Sequence, residues 1–332
     1  MTHDMMTIAC LPQETIDQIA VFVGHERGSS AVLKSLRLVS RPFYYSASRV
    51  LFQEFYITRE YAGFKESDRR DDIRAFLELF RSGTSRFIRV MRVSGPNHLA
   101  SSGLTEEEEE EEQADTIANA LQGNTRPKLK ALDLCNISDS MLHEFCQPAM
   151  APIIAGLRYL KIIGCRGRSN GVEIQTILQY CESVRAVEWI NCETFFDRPT
   201  GIIHPKTPLE RIRLNGMSGN IVASPLSLLA TVCNARNTIR YLSVYPMKWQ
   251  SAALEEQVDE LVGELTSCPF LYHPNMGSFP ESLARRYGCK SISQVLKSHT
   301  KRVIHILAVH NGFNTSPANS SRLTHLEAAL GG

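Results

Sequence analysis

The sequence has few of the features that mark a membrane protein or an exported protein. No apolar stretch approaches the roughly 18 residues that a membrane-spanning helix requires. The first ten residues lack the basic start and the apolar run of a secretory signal. The nine cysteines are scattered without a C-x-x-C pair, which predicts reduced thiols. From these absences we expect no membrane partner and a location in the cytoplasm, the nucleus or both.

The sequence also lacks the short motifs that accompany common catalytic sites. It contains no G-x-x-x-x-G-K-[ST], no H-E-x-x-H and no G-x-S-x-G. His143 and Cys146 lie three apart on a predicted helix, but no third group is positioned to orient them. Ser298 and Lys301 match S-x-x-K without the companion motifs of serine acylases. We therefore predict a protein that is not an enzyme, with no catalytic residues, no metal site and no cofactor.

The sequence lacks an excess of either charge: 36 basic and 35 acidic residues give a net charge of +1. This balance argues against a general polyanion binder, and isolated arginines without aromatic stacking partners do not indicate RNA or DNA binding. Seven of the acidic residues form one run, Glu106–Glu112. Like charges repel each other and leave little to bury, so we predict an acidic disordered loop over residues 100–114.

The segment from Leu11 to Phe52 has the pattern of three short helices. Pro12 and Glu14 are suited to the first turn of a helix, and apolar residues follow at helical spacing up to Gly24. Ser29 or Ser30 would cap the second helix and Ser40 the third. Helices this short cannot bury all their apolar side chains among themselves, so the rest of the chain or a partner must cover some of them.

These residues resemble an F-box. The most specific parts are the L-P-x-E opening at residues 11–14 and the L-V-S-R-x-F centre at residues 38–43. The resemblance implies a three-helix domain that docks on the Skp adaptor and, through it, on the cullin of a ubiquitin ligase. The adaptor-binding residues that it implies are Leu11, Pro12, Glu14, Ile16, Ile19, Leu36, Val39, Ser40, Phe43, Leu51 and Phe52.

From Ile88 onward a frame of apolar residues recurs at the first, fourth and sixth places, with intervals of 25 to 41 residues. The six frames begin at Ile88, Leu129, Leu157, Val184, Leu209 and Ile239. This spacing predicts strands whose fourth and sixth residues point inward, separated by helices. It resembles the irregular leucine-rich repeats that often follow an F-box. The alternative is a doubly wound α/β domain, which also alternates strands and helices.

The predicted fold class is therefore α/β: a three-helix F-box followed by an irregular leucine-rich-repeat solenoid with a concave parallel sheet. We divide the chain into an N-terminal tail (1–9), the F-box (10–57), a linker helix (58–86) and the repeats (87–332). In such a solenoid, six charged residues would project from the concave face and bind an acidic or phosphorylated target peptide. They are Arg89, Arg92, Lys161, Glu188, Arg211 and Arg213.

The resemblance implies a substrate-recognition adaptor of a Skp–cullin–F-box ubiquitin ligase, whose repeats hold an unknown target protein. The alternative is a leucine-rich-repeat scaffold outside any ligase, in which the F-box-like head only caps the repeats. Leu11 and Pro12 distinguish the two. Changing both to alanine should cost adaptor binding in the first case and stability of the fold in the second.

Overall fold

The computed structural model describes residues 11–26, 29–57, 66–95, 104–123, 126–164, 176–192, 207–216, 225–245, 254–271, 273–276, 284–286, 288–289, 291 and 294–296. The predicted N-terminal tail and everything beyond residue 296 lie outside these segments. Three helices open the chain: α1 (Gln13–His25), α2 (Ser30–Leu36) and α3 (Arg41–Leu51). We call this segment, residues 11–52, the head.

A parallel sheet of eight strands follows, and its strands lie side by side in the order of the sequence. Its strands are β1 (Glu54–Ile57), β2 (Val90–Ser94), β3 (Ala131–Cys135), β4 (Tyr159–Ile163), β5 (Ala186–Cys192), β6 (Arg211–Gly216), β7 (Tyr241–Tyr245) and β8 (His273–Met276). The helices between them are α4 (Glu66–Arg81), α5 (Leu104–Gln122), α6 (Asp139–Cys146), α7 (Ala151–Ile154), α8 (176–180), α9 (Pro225–Ala235) and α10 (Leu254–Ser267). Short 3₁₀ turns occur at Thr84–Phe87 and Pro148–Met150.

All six strands predicted from the repeating frame are present, as β2 to β7. Their fourth and sixth residues form two rows that cross the sheet in register, for example Leu132 beside Leu160 and Leu134 beside Ile162. Side chains in both rows are buried, as are the first residues of each frame. Because side chains alternate between the faces of a strand, these rows place the whole contiguous core on one face of the sheet.

The helices between the strands supply the remaining side chains of this core. Ile117 and Leu121 of α5, Leu228 of α9 and Leu261 of α10 belong to the same buried cluster as the strand residues. A doubly wound domain would carry helices on both faces of its sheet. In the described segments the core contains none of the side chains of the opposite face. We call that opposite face, which carries the third and fifth residues of each frame, the open face.

The strands end in a turn that glycine and asparagine make possible. Asn136 follows β3 and Gly164 follows β4, while Asn191 lies at the bulge near the end of β5. All three have positive φ, which these residue types tolerate best. The amide of Asn136 donates to the carbonyl of Ile163, and that of Gly164 to the carbonyl of Ile190. Each turn is thus hydrogen-bonded to the next strand, which keeps successive strands in register.

Three expectations about local structure were wrong. The acidic run was expected to be a disordered loop but is helical, because it lies within α5 (Leu104–Gln122). Glutamate is a good helix former, and the buried Ala114, Ile117, Ala118 and Leu121 anchor the far half of this helix to the core. Like-charge repulsion in the first half is therefore offset by burial in the second.

The second correction concerns the domain boundary at residue 57. Residues 54–57, which we placed at the end of the F-box, form β1, and this strand pairs in parallel with β2 and begins the sheet instead of ending the head. The third concerns the number of strands: the last of the six predicted frames begins at Ile239, but one more strand, β8, follows at His273–Met276. Proline and asparagine are rare in strands, which conceals this one in the sequence.

Candidate functional site

The head has a small core of its own. Ile16 and Ala20 of α1, Leu33 of α2, and Phe43 and Ala47 of α3 are buried. None of these five side chains belongs to the contiguous core of the sheet and its helices. The three helices therefore pack mainly against one another and bury only a few apolar side chains between them.

The same helices expose most of the large apolar side chains found at the surface. Among the described residues, eight large hydrophobic side chains are exposed, and six of them belong to the head. Leu38, 88% exposed, and Phe22, 70% exposed, are the extremes. The six are Val21, Phe22, Val32, Leu38, Val39 and Tyr45. Exposed apolar side chains gathered on one small unit are typical of a surface that binds another protein.

The predicted adaptor-binding residues divide into three groups by their exposure. Ile16 and Phe43 are buried in the head, where they support the surface without reaching it. Half-buried positions are Leu11, Ile19, Leu36, Ser40, Leu51 and Phe52. Pro12, Glu14 and Val39 are exposed.

Phe22 was not named from the sequence, and Leu38 was named only as the first residue of the L-V-S-R-x-F motif, not as an adaptor-binding residue. The signal in the sequence was an apolar residue where a polar one is usual: Phe22 on the outer face of α1, and Leu38 in the turn between α2 and α3.

A polar network ties α1 to α3. The Asp17 carboxylate accepts hydrogen bonds from the Ser46 hydroxyl at 2.6 Å and from the Gln13 amide at 2.9 Å. It also pairs with Arg49 at 2.5 Å. Partial burial raises the pKa of Asp17, but the hydrogen bonds from Ser46, Arg49 and Gln13 together lower it by a larger amount. The pKa of Asp17 therefore lies below its usual value. The head is thus held by a charged contact as well as by its core.

The second candidate surface is a row of polar side chains across the open face. The pairing register brings Arg92, Asp133, Lys161, Glu188 and Arg213 side by side on five successive strands. These are the fifth residues of their frames, so their side chains alternate with the two buried rows. Arg211, two residues before Arg213 on β6, lies on the same face. We call these six residues the charged row.

The carboxylates of the charged row lie beneath its cations. Asp133 and Glu188 each expose only 9% of their side chains. Asp133 pairs with Arg92 at 2.8 Å and with Lys161 at 3.9 Å. Glu188 pairs with Arg211 at 3.0 Å and with Arg213 at 4.0 Å. Each buried anion therefore has one close cation and one looser cation, which offsets the cost of its desolvation.

Two of the arginines are also held by aromatic rings. The guanidinium of Arg92 lies 5.1 Å from the centre of the Tyr56 ring, and that of Arg211 lies 4.8 Å from the Tyr241 ring. Stacking of this kind restricts the side chain without neutralising its charge. Both arginines are thereby fixed from below by a carboxylate and from the side by a ring.

Five of the six predicted target-binding residues are brought together in this way. Arg89 is not part of the group, because its guanidinium donates to the backbone carbonyls of Arg86 and Ile88 just before β2. Asp133, Tyr56 and Tyr241 were not predicted to belong to it. The register offered a signal for Asp133, which lies between Leu132 and Leu134 at the same place in its frame as Arg92 and Lys161.

Tyr159, beside the charged row, provides a test of this arrangement by pH. Burial, followed by the negative charges of Glu188 and Asp133, raises the pKa of Tyr159 to about 12 from the usual 10.0. The unfolded chain therefore loses this proton first, so the folded state should lose stability as pH rises from about 10 toward 12. We expect Tyr159→Phe to be less sensitive to alkali than the unchanged protein in urea unfolding at pH 9 and pH 11. Equal losses in both proteins would contradict the placement of Tyr159 against Glu188.

Within the described segments, no helix is both long and apolar enough to cross a membrane. In the same segments, no group of three or more histidine, cysteine, aspartate or glutamate side chains is placed to hold a metal ion. No protein-family model matches the chain, and no curated protein is similar to it.

Proposed function

We propose that this chain is the substrate-recognition adaptor of a Skp–cullin–F-box ubiquitin ligase. The head would bind the Skp adaptor, the cullin would be reached through that adaptor, and the sheet domain would hold the protein to be modified. The chain itself would perform no chemistry. The observation that carries the proposal is the exposure of six large apolar side chains on a three-helix head whose sequence resembles an F-box.

The energetics of the head support a role in binding. A buried leucine, valine or phenylalanine side chain contributes about 1.5–3 kcal/mol relative to an exposed one. Covering even half of the six exposed apolar residues would offset a large part of the roughly 4–15 kcal/mol that association costs. A stable complex with a partner that supplies an apolar groove is therefore within reach of this surface.

The separate core of the head argues against the role of a simple cap. A cap would cover the exposed end of the sheet's core with its own apolar side chains. Here Ile57 of β1 is part of the large core, whereas Ile16, Leu33 and Phe43 of the head are not. The described contacts between α3 and the 3₁₀ turn before β2 are peripheral: the rings of Tyr45 and Phe87 lie 6.3 Å apart, and Arg86 lies beside Tyr45.

The test is co-expression of the full chain with the Skp adaptor, followed by size-exclusion chromatography. We expect a 1:1 complex that is lost when Leu11 and Pro12 are both changed to alanine. Pro12 is exposed and Leu11 is half-buried, so the double variant should keep the thermal transition of the unchanged protein. A chain that stays monomeric beside the adaptor would overturn the proposal. Destabilisation of the whole fold by the same double change would instead favour the scaffold with a cap.

A further inference from the structure

From the charged row we infer a second binding site, for an extended peptide that carries carboxylate side chains at every third residue. The inference deepens the proposed function, because it names the chemical class of target that the sheet domain would hold. It rests on three observations about the row: which charges are exposed, how they are held, and how far apart they lie.

The exposed charges of the row are all positive. Arg92, Arg211 and Arg213 expose between 37% and 47% of their side chains, and Lys161 exposes 25%. The two carboxylates are nine-tenths buried beneath them. A ligand on the open face would therefore meet four cations, while the buried anions leave a net charge of +2 for it to neutralise.

Two of the four cations are also held in place before a ligand arrives. Arg92 and Arg211 are fixed by a carboxylate and an aromatic ring each. A guanidinium has five donors, and a contact with one carboxylate uses only some of them. Side chains that are already ordered lose less entropy on binding, which favours affinity at a given number of contacts.

The spacing of the cations selects the shape of the ligand. Arg92, Lys161 and Arg213 lie on every second strand, so their Cα atoms recur at about 9.6 Å across the sheet, since neighbouring strands are about 4.8 Å apart. A polyproline II peptide advances about 3.1 Å per residue and presents the same face every third residue, at about 9.3 Å. Acidic side chains at positions i, i+3 and i+6 of such a peptide would stand opposite the three strand positions that carry Arg92, Lys161 and Arg213.

Carboxylates fit this row better than phosphates do. A phosphate dianion is usually met by several cations that converge on one point. Here each pair of cations already faces a carboxylate, since every cation lies within 4.0 Å of Asp133 or Glu188, and that carboxylate would repel a dianion more strongly than a monoanion. We therefore assign the site to aspartate and glutamate side chains.

The experiment uses fluorescence anisotropy with the full chain and three labelled nine-residue peptides. The first has glutamate at every third position on a proline-rich background, the second has the same composition with its glutamates adjacent, and the third has phosphoserine in place of glutamate. We expect the first peptide to bind at least about tenfold more tightly than the other two. Affinity should fall as salt is raised from 50 to 300 mM, because the contacts are between charges near the surface.

The matched variants remove only the two loosely paired cations. In the double variant Lys161→Gln with Arg213→Gln, Asp133 keeps Arg92 and Glu188 keeps Arg211, so no buried carboxylate is left without its close partner. We expect this variant to fold and to bind the first peptide at least about tenfold more weakly. The control, Arg81→Gln with Arg236→Gln, removes the same charge from the helical side of the molecule and should bind as the unchanged protein does.

Equal binding by the two double variants, no binding by the unchanged protein, or preference for adjacent glutamates or for phosphoserine would each overturn the inference. The proposed function fails separately. Neither double variant changes the head, so the adaptor complex should form with both. A chain that binds the peptide but ignores the adaptor would retain this site and lose the ligase assignment.

Discussion

Changing Leu38 and Val39 to serine should weaken binding of the Skp adaptor by at least about a hundredfold. Leu38 is 88% exposed and Val39 51% exposed in the free chain, so the change removes little packing from the head. If the adaptor covers them, each contributes about 1.5–3 kcal/mol to the complex. Losing both should therefore lower the affinity by about a hundredfold or more. The measurement is isothermal titration of the adaptor into the unchanged and the double-variant chain.

Phe270 provides the matched control for this pair. It is also a large exposed apolar side chain, at 55%, but it follows α10 at the opposite end of the described chain. Phe270→Ser should leave adaptor affinity unchanged. If the Leu38 and Val39 variant binds normally while its thermal transition is also unchanged, the head does not use this surface for the adaptor. A lowered transition would mean that the two side chains stabilise the head itself.

The sheet could be predicted from the sequence because its physical signal is repeated. Each of six frames places apolar residues at the first, fourth and sixth positions, and one strand that buries alternate residues explains all of them. Met91 and Trp189 stand where the pattern usually has leucine, and both are buried, since any large apolar side chain can fill such a position. Repetition made the register between strands predictable as well.

Elements at the ends of the array were harder to predict, because each departs from the pattern. β1 spans only Glu54–Ile57, and it belongs to the sheet through its pairing with β2, which lies beyond an intervening helix. β8 contains Pro274 and Asn275, so its strand identity comes from pairing with β7 and not from its own propensities. In α5 the charge pattern pointed to disorder, while four apolar residues at its far end decided the outcome.

The candidate sites show the same limit. Strand alternation was sufficient to place Arg92, Lys161, Glu188, Arg211 and Arg213 on one face. It could not show that Asp133 would be buried under two of the cations, because burial depends on the side chains of neighbouring strands. Likewise, helical spacing identified the inner residues of the head, but which outer residues stay exposed depends on how the three short helices pack.

Trp189→Ala should produce the largest loss of stability among the changes considered, about 3–5 kcal/mol. Trp189 is a fully buried side chain in the middle of the sheet, on β5, in the row between Ile162 and Leu214. Its removal leaves a cavity that neighbouring repeats on both sides share. Because each strand of this sheet lies beside its neighbours in sequence, a local loss can uncouple the two halves, and we expect the unfolding transition in urea to occur earlier and to become broader.

The head provides an independent readout of this change. Its buried residues Ile16, Leu33 and Phe43 lie outside the core that contains Trp189, so the Trp189→Ala chain should still bind the adaptor below its unfolding transition. Trp189→Phe, which keeps an aromatic side chain at the site, should lose much less stability and serves as the control. If Trp189→Ala abolished adaptor binding while the sheet remained folded, the head and the sheet would be coupled. The surface that binds the adaptor would then extend beyond the three helices.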